Sequence, residues 1–507
     1  MVLVLGLLIF RDFGFSIDEN QQRDIGMVSL KHVAQKINPG WVKNDPDFER
    51  YNVPLSEYTD HDYGVAFETP ISFLERLLRL DELRHKFWLR HLFTFLLSFG
   101  GLAAVYQLAA RRFQDWRMGL LACTWLLLSP RMFAESFYND KDAVFMALFA
   151  IATNTAVRLL QRPTAGRVFW HALACAIAID VRVAGVIIPA ATVALLGWRA
   201  VRHEMRWARA LATLAGYGVC TAALVVAFWP YLWAAPLANF FAAFRNMAAF
   251  RWGGEVLYFG SMVPATSLPW HYAPVWIGIT TPVLYLGLGL LGIGLVVREL
   301  IRQRGRLWAD EGQMQDLLFV GLSLGPLLAV IGLHSVLYDG WRQLYFVYPA
   351  FLLLAVRGWA AAWRVRPRLV GSLTALSALV VAGQMVAAHP LQMVYFNALA
   401  GTNVAERFEL DYWGLGYQED LTYIATHDSR PLITVYSPPP SPTAMSLQML
   451  PAAQRSRIKV VDSPDGVDYF ITNYRWHPHP YTFPPGAEVY QLRADGRRVH
   501  SIFQLKW

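Results

Sequence analysis

Residues 1–20 read MVLVLGLLIFRDFGFSIDEN: an apolar opening run, then two adjacent carboxylates, Asp18 and Glu19, where the chain leaves it. Residues 16–87 contain no further run approaching the ~20 apolar residues that a bilayer crossing needs. Carboxylates at a membrane surface are costly to desolvate unless they have a partner or a task. The same placement recurs at Asp140 and Asp142, in the turn between two later apolar runs. Together these positions point to chemistry at the lipid–water boundary.

Composition supports a multi-pass membrane protein. The chain has 507 residues, 55% hydrophobic and only 16% charged, with mean hydropathy +0.30, whereas a soluble domain carries about 25% charged residues. The net charge of +8 would suit nucleic acid, but the basic residues sit in short loops between apolar runs. The positive-inside rule accounts for them there, and nucleic acid is not an expected partner. Cys123, Cys175 and Cys220 all lie inside apolar stretches and read as small core residues. The opening run resembles the apolar part of a signal peptide. It lacks a basic leader and a small-residue cleavage site, so an uncleaved, short first span is expected.

Hydropathy predicts eleven spans, at 1–16, 88–110, 118–134, 142–160, 168–181, 183–198, 209–230, 274–297, 317–334, 344–363 and 369–388. The loops at alternate ends hold 17 arginines, from Arg111 and Arg112 to Arg364, Arg366 and Arg368. All fall on one side if eleven spans are present, which places those loops in the cytoplasm and the C-terminus outside. The long segments, Ser16 to Phe87, Trp229 to Ala273, His334 to Gln343 and the tail from His389, then share the external face. In a bacterium this is the periplasmic face of the inner (plasma) membrane. The fold class expected is an α-helical multi-pass domain over 1–388 and a small extracytoplasmic α/β domain over 389–507.

Within the first external loop (16–87), Asp18 starts a helix with apolar positions Ile25, Val28, Val33 and Ile37, ending at Asn38-Pro39-Gly40. Ile71, Phe73, Leu74, Leu77, Leu78 and Leu80 alternate with Glu75, Arg76 and Arg79, an amphipathic helix suited to the interface. In the tail, 432–436 and 469–472 read as strands and Asp495-Gly496 as a hairpin turn.

Asp18 and Glu19 are candidate catalytic groups: either could take a proton from an acceptor or help hold a divalent cation. The plain alternative is that Asp18 only caps the following helix. Residues 129–142, SPRMFAESFYNDKD, pack three acids and two bases into a hairpin. Asp142 opens the next helix; Asp140, Lys141 and Arg131 are substrate-binding candidates, the two cations suiting a phosphate. Arg182 either pairs with Asp180 inside the protein or faces an anionic lipid headgroup. Arg342 either clamps a phosphate or snorkels to headgroups. His271 and His334 are external histidines that could join Glu19 around a divalent metal, the one cofactor considered, although no zinc-type spacing is present. His271 is also a substrate-binding candidate. Asp411-Tyr412-Trp413-Gly414 is either the segment that docks the tail domain over the site or a packing corner.

These pieces resemble the GT-C glycosyltransferases, in particular protein mannosyltransferases and the aminoarabinose transferase of lipid A. YNDKDAVFMALF, LPWHYAPVWIGITTP, LYDGWRQLYFVYPA and HPLQMVYFNALAG resemble an uncharacterised bacterial branch of that group. The resemblance covers most of 16–420. It implies a hexosyl- or pentosyltransferase of the cell envelope that takes a polyprenyl-phosphate-linked sugar and passes it, with inversion, to a lipid, glycan or protein acceptor. It matches Asp18 or Glu19 to the first-loop acid, Asp142 to the second acid, Arg182 to a basic residue near the donor phosphate and Arg342 to the arginine of an Arg-Tyr pair. Gln343 and Leu344 intervene before Tyr345, so that last match departs from the pattern. Two other classes share the spans. A transporter or flippase predicts midplane charges and repeated halves, and no internal repeat is visible. A non-catalytic assembly or sensor protein would work through the tail domain.

Overall fold

The computed structural model describes residues 1–43, 45–248, 252–304 and 306–506. Eight of its helices are long and apolar enough to cross a membrane: Leu83–Phe113, Asp142–Gln161, Val183–Val201, Trp207–Phe228, Val283–Arg302, Glu311–Gly332, Arg342–Val365 and Pro367–Ala387. Asp142–Gln161 and Arg342–Val365 are mostly buried and form the centre; Trp207–Phe228 and Pro367–Ala387 present most of their surface outward. Helices Val283–Arg302 and Tyr348–Val365 approach until a Cβ on Gly292 would lie 1.9 Å from the Leu354 carbonyl oxygen, the close backbone approach that small residues allow.

Three expected spans are shorter or broken. The first is the eight-residue helix Val2–Ile9. The third splits into Trp116–Leu127 and Pro130–Tyr138, because Ser129 is extended and Pro130 restarts the helix in its first turn. The fifth, expected at 168–181, is by contrast longer, Ala165–Val181 with 17 residues. The expected span 274–297 is likewise two helices, Tyr272–Thr280 and Val283–Arg302, divided at Thr281-Pro282. Apolar residues run on through each break, so hydropathy alone joins what the backbone separates.

Several of the arginine-rich connections meet through side-chain contacts. Arg209 donates to the Pro163 carbonyl, Arg202 to that of Trp308, and Arg112 reaches Asp316. The connections around Arg112, Pro163, Arg202 and Trp308 therefore gather at one end of the bundle. The first-loop acid, the starts of Asp142–Gln161 and Arg342–Val365, and Arg182 gather elsewhere, in one cluster.

The helix Glu19–Ile37 begins and ends where its sequence predicts. Glu68–Leu77 buries Glu68, Ile71, Ser72 and Glu75 and exposes Phe73 and Leu77. Its polar stripe faces inward to meet Arg90 and Arg23, while its apolar stripe faces out, as suits an interfacial helix. In the second long external segment, β1 (Glu255–Tyr258) and β2 (Ser261–Pro264) form a short antiparallel hairpin.

A strap over 389–416 follows the last long helix. Its Met393, Val394, Phe396, Phe408, Tyr412 and Trp413 are buried in the same core as the membrane helices. From Tyr417 a second core begins, around β3 (Ile433–Tyr436), β4 (Ile458–Val460), β5 (Tyr469–Thr472), β6 (Glu488–Ala494) and β7 (Arg497–Gln504). The sheet order is β4-β3-β5-β7-β6, with β3 parallel to both neighbours and β7 antiparallel to both of its own. Asp495 and Gly496 turn the final hairpin with φ of 49° and 74°, the left-handed pair that a two-residue turn requires.

Candidate active site

Asp18 stands at the N-terminus of Glu19–Ile37, yet its side chain makes no capping hydrogen bond. It accepts from Arg342 Nη1 at 2.7 Å, across 324 residues of chain. The same nitrogen reaches Asp142 Oδ2 at 3.2 Å, and Nη2 reaches Asp339 Oδ2 at 3.2 Å. Asp142 also pairs with Arg182, and Asp339 with Arg475 at 2.8 Å. Three carboxylates and three guanidiniums thus interlock, and Arg342 is held between the rings of Tyr338 and Trp413 at 4.7 and 4.5 Å. Most of the cluster is buried, but the Asp18 side chain is 32% exposed and that of Arg182 23%. Those two groups form the exposed edge of the cluster.

Burial opposes ionisation of Asp18, but Arg342 first, then Arg475 and Lys141, overcome it and hold the carboxyl below its ordinary range. Lys141, with its ammonium 3.0 Å from the centre of the Tyr63 ring, is pushed down to about 7 by burial and then by Arg182. Burial lifts Asp140 well above the usual carboxylate range; its near cation is Arg90 at 3.7 Å.

Asp142 is positioned from its own hairpin. Asn139 Oδ1 accepts the Asp142 backbone N–H at 2.7 Å, and Asn139 Nδ2 donates to Glu135 Oε2 at 2.7 Å. Glu135 Oε1 accepts from Tyr345 at 2.7 Å and Tyr412 at 3.1 Å. The loose match at Tyr345 is therefore still linked to Asp142, through Glu135 and then Asn139. Arg131 is buried one turn before Glu135, its guanidinium over the rings of Trp276 and Phe396.

Several expectations are corrected. The Asp18-Glu19 pair divides: Glu19 is fully buried, accepts the Ser16 N–H at 2.7 Å and meets His91 Nε2 at 2.8 Å. It closes the start of its helix in the manner of a capping box, apart from the Asp18–Arg342 cluster. Arg182 does not pair with Asp180, which instead accepts the Ala66 N–H at 2.6 Å and so ties down the first loop. His271 meets the Tyr258 hydroxyl at 2.6 Å, and His334 is exposed. Among the described residues no three His, Cys, Asp or Glu side chains converge to hold a metal ion. The expected trio of Glu19, His271 and His334 does not fit one, and the acids that do converge carry arginine partners.

The segment 411–414 does dock the tail domain over the cluster: Trp413 stacks on Arg342, Tyr412 bonds Glu135, and Asp411 accepts from Gly414, Gly416 and His500. Asp339, Glu135 and Arg475 are site residues that sequence reasoning did not single out. Asp339 lies three residues before Arg342 in a polar turn, and that spacing was the available signal. Arg475 carries none, being in the tail domain 133 residues beyond Arg342.

No protein-family model matches the chain, and its sequence matches no curated protein. Solved structures do resemble it. ArnT from Cupriavidus metallidurans, an aminoarabinose transferase, in its apo state aligns with a TM-score of 0.50 and 15% identity, over 99% of this chain and 97% of that one. The same protein bound to undecaprenyl phosphate gives 0.46 and 14% over the same shares. The Archaeoglobus fulgidus oligosaccharyltransferase with zinc and sulfate gives 0.42 and 12%, over 93% of this chain and 68% of that one. The fold assignment rests on the first of these: the chain is a multi-pass membrane protein with the fold of the GT-C glycosyltransferases.

Proposed function

We propose that the protein is a membrane glycosyltransferase that takes a sugar from a polyprenyl-phosphate donor and passes it to a lipid, glycan or protein acceptor. Its active face is the external one, which in a bacterium is the periplasmic side of the inner membrane, where the C-terminal domain also lies. The observation that carries this is Asp18, which gives up the capping role its position offers and reaches Arg342 instead, while staying one-third exposed. ArnT has been crystallised with undecaprenyl phosphate and the Archaeoglobus enzyme AglB with a dolichol-phosphate; a lipid phosphate of this kind is what the proposed donor would leave behind after transfer.

A lipid-phosphate sugar is already activated, which removes any need for a nucleotide site. Lys141 and Arg182, at the edge of the cluster, neutralise the phosphate as it leaves. Arg342 occupies one oxygen of Asp18 and leaves the other for an acceptor hydroxyl. As that hydroxyl attacks the anomeric carbon, its proton passes to Asp18, the carbon–oxygen bond to the phosphate breaks, and the polyprenyl phosphate departs with the electron pair. One displacement inverts the anomeric centre. Asp142 holds Arg182 and Arg342 in register. The cations of this cluster account for charge neutralisation, and no step is assigned to a metal.

The test is transfer of radiolabelled sugar from polyprenyl-phosphate donors by lipid-reconstituted protein. Asp18→Asn keeps an acceptor for Arg342 and is expected to fold and bind donor, but to lose transfer by roughly a hundredfold or more. Near-normal turnover in Asp18→Asn removes the mechanism. Donor lipid moved across the bilayer with no glycosylated product would favour a flippase.

A further inference from the structure

A cavity of ≈ 210 Å³ lies between the strap and the C-terminal domain. Phe408, Glu409 and Tyr412 line it from the strap, and Tyr474, Arg475 and Arg498 from the domain. Glu409 is 5% exposed, and neither of its carboxylate oxygens completes a hydrogen bond, although the Leu257 backbone N–H faces it. Arg475 Nε also lacks a partner. A buried carboxylate and a buried guanidinium nitrogen left open in one cavity are costly, and native proteins rarely keep such groups without a use for them.

The cavity is coupled to the catalytic cluster. Arg475 Nη1 donates to the Tyr412 carbonyl at 2.6 Å and Nη2 to Asp339 at 2.8 Å, the acid that also holds Arg342. The space is smaller than the ~300–1,000 Å³ of drug-sized ligand sites and equals about seven waters at ~30 Å³ each. It has room for one ring with its substituents and none for a lipid chain. A ligand that replaces several waters keeps affinity only if its own groups reproduce their hydrogen bonds, as a polyhydroxylated ring does. The lining supplies an acceptor in Glu409, donors in Arg475 and Arg498, and aromatic faces for the ring's C–H side.

The geometry points to a glycosyl-binding pocket in which Glu409 accepts hydroxyl hydrogen bonds from a single sugar ring and Arg475 and Arg498 donate to its oxygens. That the ring belongs to the donor or the acceptor rests on the transferase function proposed above; that the pocket binds a sugar does not.

The experiment is saturation-transfer NMR on full-length protein in nanodiscs with the methyl glycosides of glucose, galactose, mannose and N-acetylglucosamine. At least one is expected to bind saturably. Glu409→Gln and Arg498→Ala should each weaken it roughly tenfold, and Gly287→Ala, where a Cβ meets nothing within 4 Å, should leave it unchanged. Arg498 is half-exposed and rests on the Tyr474 ring at 4.5 Å, so its replacement tests the pocket if the buried Glu409 variant fails to fold. No saturable sugar, or equal affinity in wild type and Arg498→Ala, overturns the inference. Binding of a simple amine in preference to every sugar overturns it too. In transfer assays, a raised KM for donor alone assigns the ring to the donor, and one for acceptor alone to the acceptor; if neither moves, the ring is not a substrate's. Sugar binding by a protein that transfers nothing would sink the enzymatic proposal and leave the pocket standing.

Discussion

Replacing Arg342 separates charge from geometry. The guanidinium serves Asp18 and Asp142 through Nη1 and Asp339 through Nη2. A lysine there keeps the charge, but one ammonium cannot occupy both sides of the fork. Whichever side is lost, Asp142 keeps Arg182 and Asp339 keeps Arg475; Asp18 loses its partner if the Nη1 side goes, but its side chain is 32% exposed and water can solvate it. Arg342→Lys should therefore lose the equivalent of one buried charge-assisted hydrogen bond, about 1.5–3 kcal/mol. Arg342→Ala leaves three acids facing two arginines, and breaking a buried pair in this way costs about 3–5 kcal/mol. The native protein has three free cysteines, of which Cys175 is buried, so unfolding in detergent can be followed by a thiol-reactive dye. The lysine variant should give a folded protein with a modestly lower melting temperature, and the alanine variant should melt far lower or fail to accumulate. If the two variants melt together, the sharing of carboxylates among three arginines is wrong. If neither shifts, Arg342 does not hold the cluster.

Other outcomes follow from the same contacts. Lys141 is fully protonated only below about 7, and a bound phosphate raises its pKa. Donor-phosphate affinity should therefore be full below pH 7 and fall, by up to tenfold per unit, as pH rises from there toward the pKa of the complex. Lys141→Arg should flatten that profile, measured by titrating undecaprenyl phosphate between pH 6 and 9. Glu75→Gln weakens the ties to Arg23 Nε at 2.9 Å and Arg90 Nε at 3.0 Å. It should destabilise by roughly 3 kcal/mol and show as faster proteolysis within the first loop. Gly292→Ala forces a methyl into the Leu354 carbonyl and should lower the melting temperature sharply, by ~1–3 kcal/mol or more, whereas Gly287→Ala meets nothing within 4 Å and should not.

Much of the architecture was legible because it depends on local pattern. Hydropathy located the long helices, since the pattern reflects the cost of placing charge in lipid. Asp495-Gly496 announced the last hairpin because few residues adopt two successive left-handed conformations. The breaks at Ser129-Pro130 and Thr281-Pro282 were less visible, because apolar residues continue through them. The acids at 18 and 142 and the arginines at 182 and 342 were recognisable as ionic groups at helix ends.

Which of those groups meet was beyond the sequence. Adjacent Asp18 and Glu19 look equivalent in one dimension, yet one turns toward Arg342 and the other toward His91. Arg182 passes over Asp180, two positions away, for Asp142, forty away. Arg475 joins from a separate domain. Hydropathy and turn chemistry are properties of neighbouring residues, so they survive in the linear chain. The pairing of buried charges is decided by which side chains reach the same water-poor space after packing, and no local period encodes that.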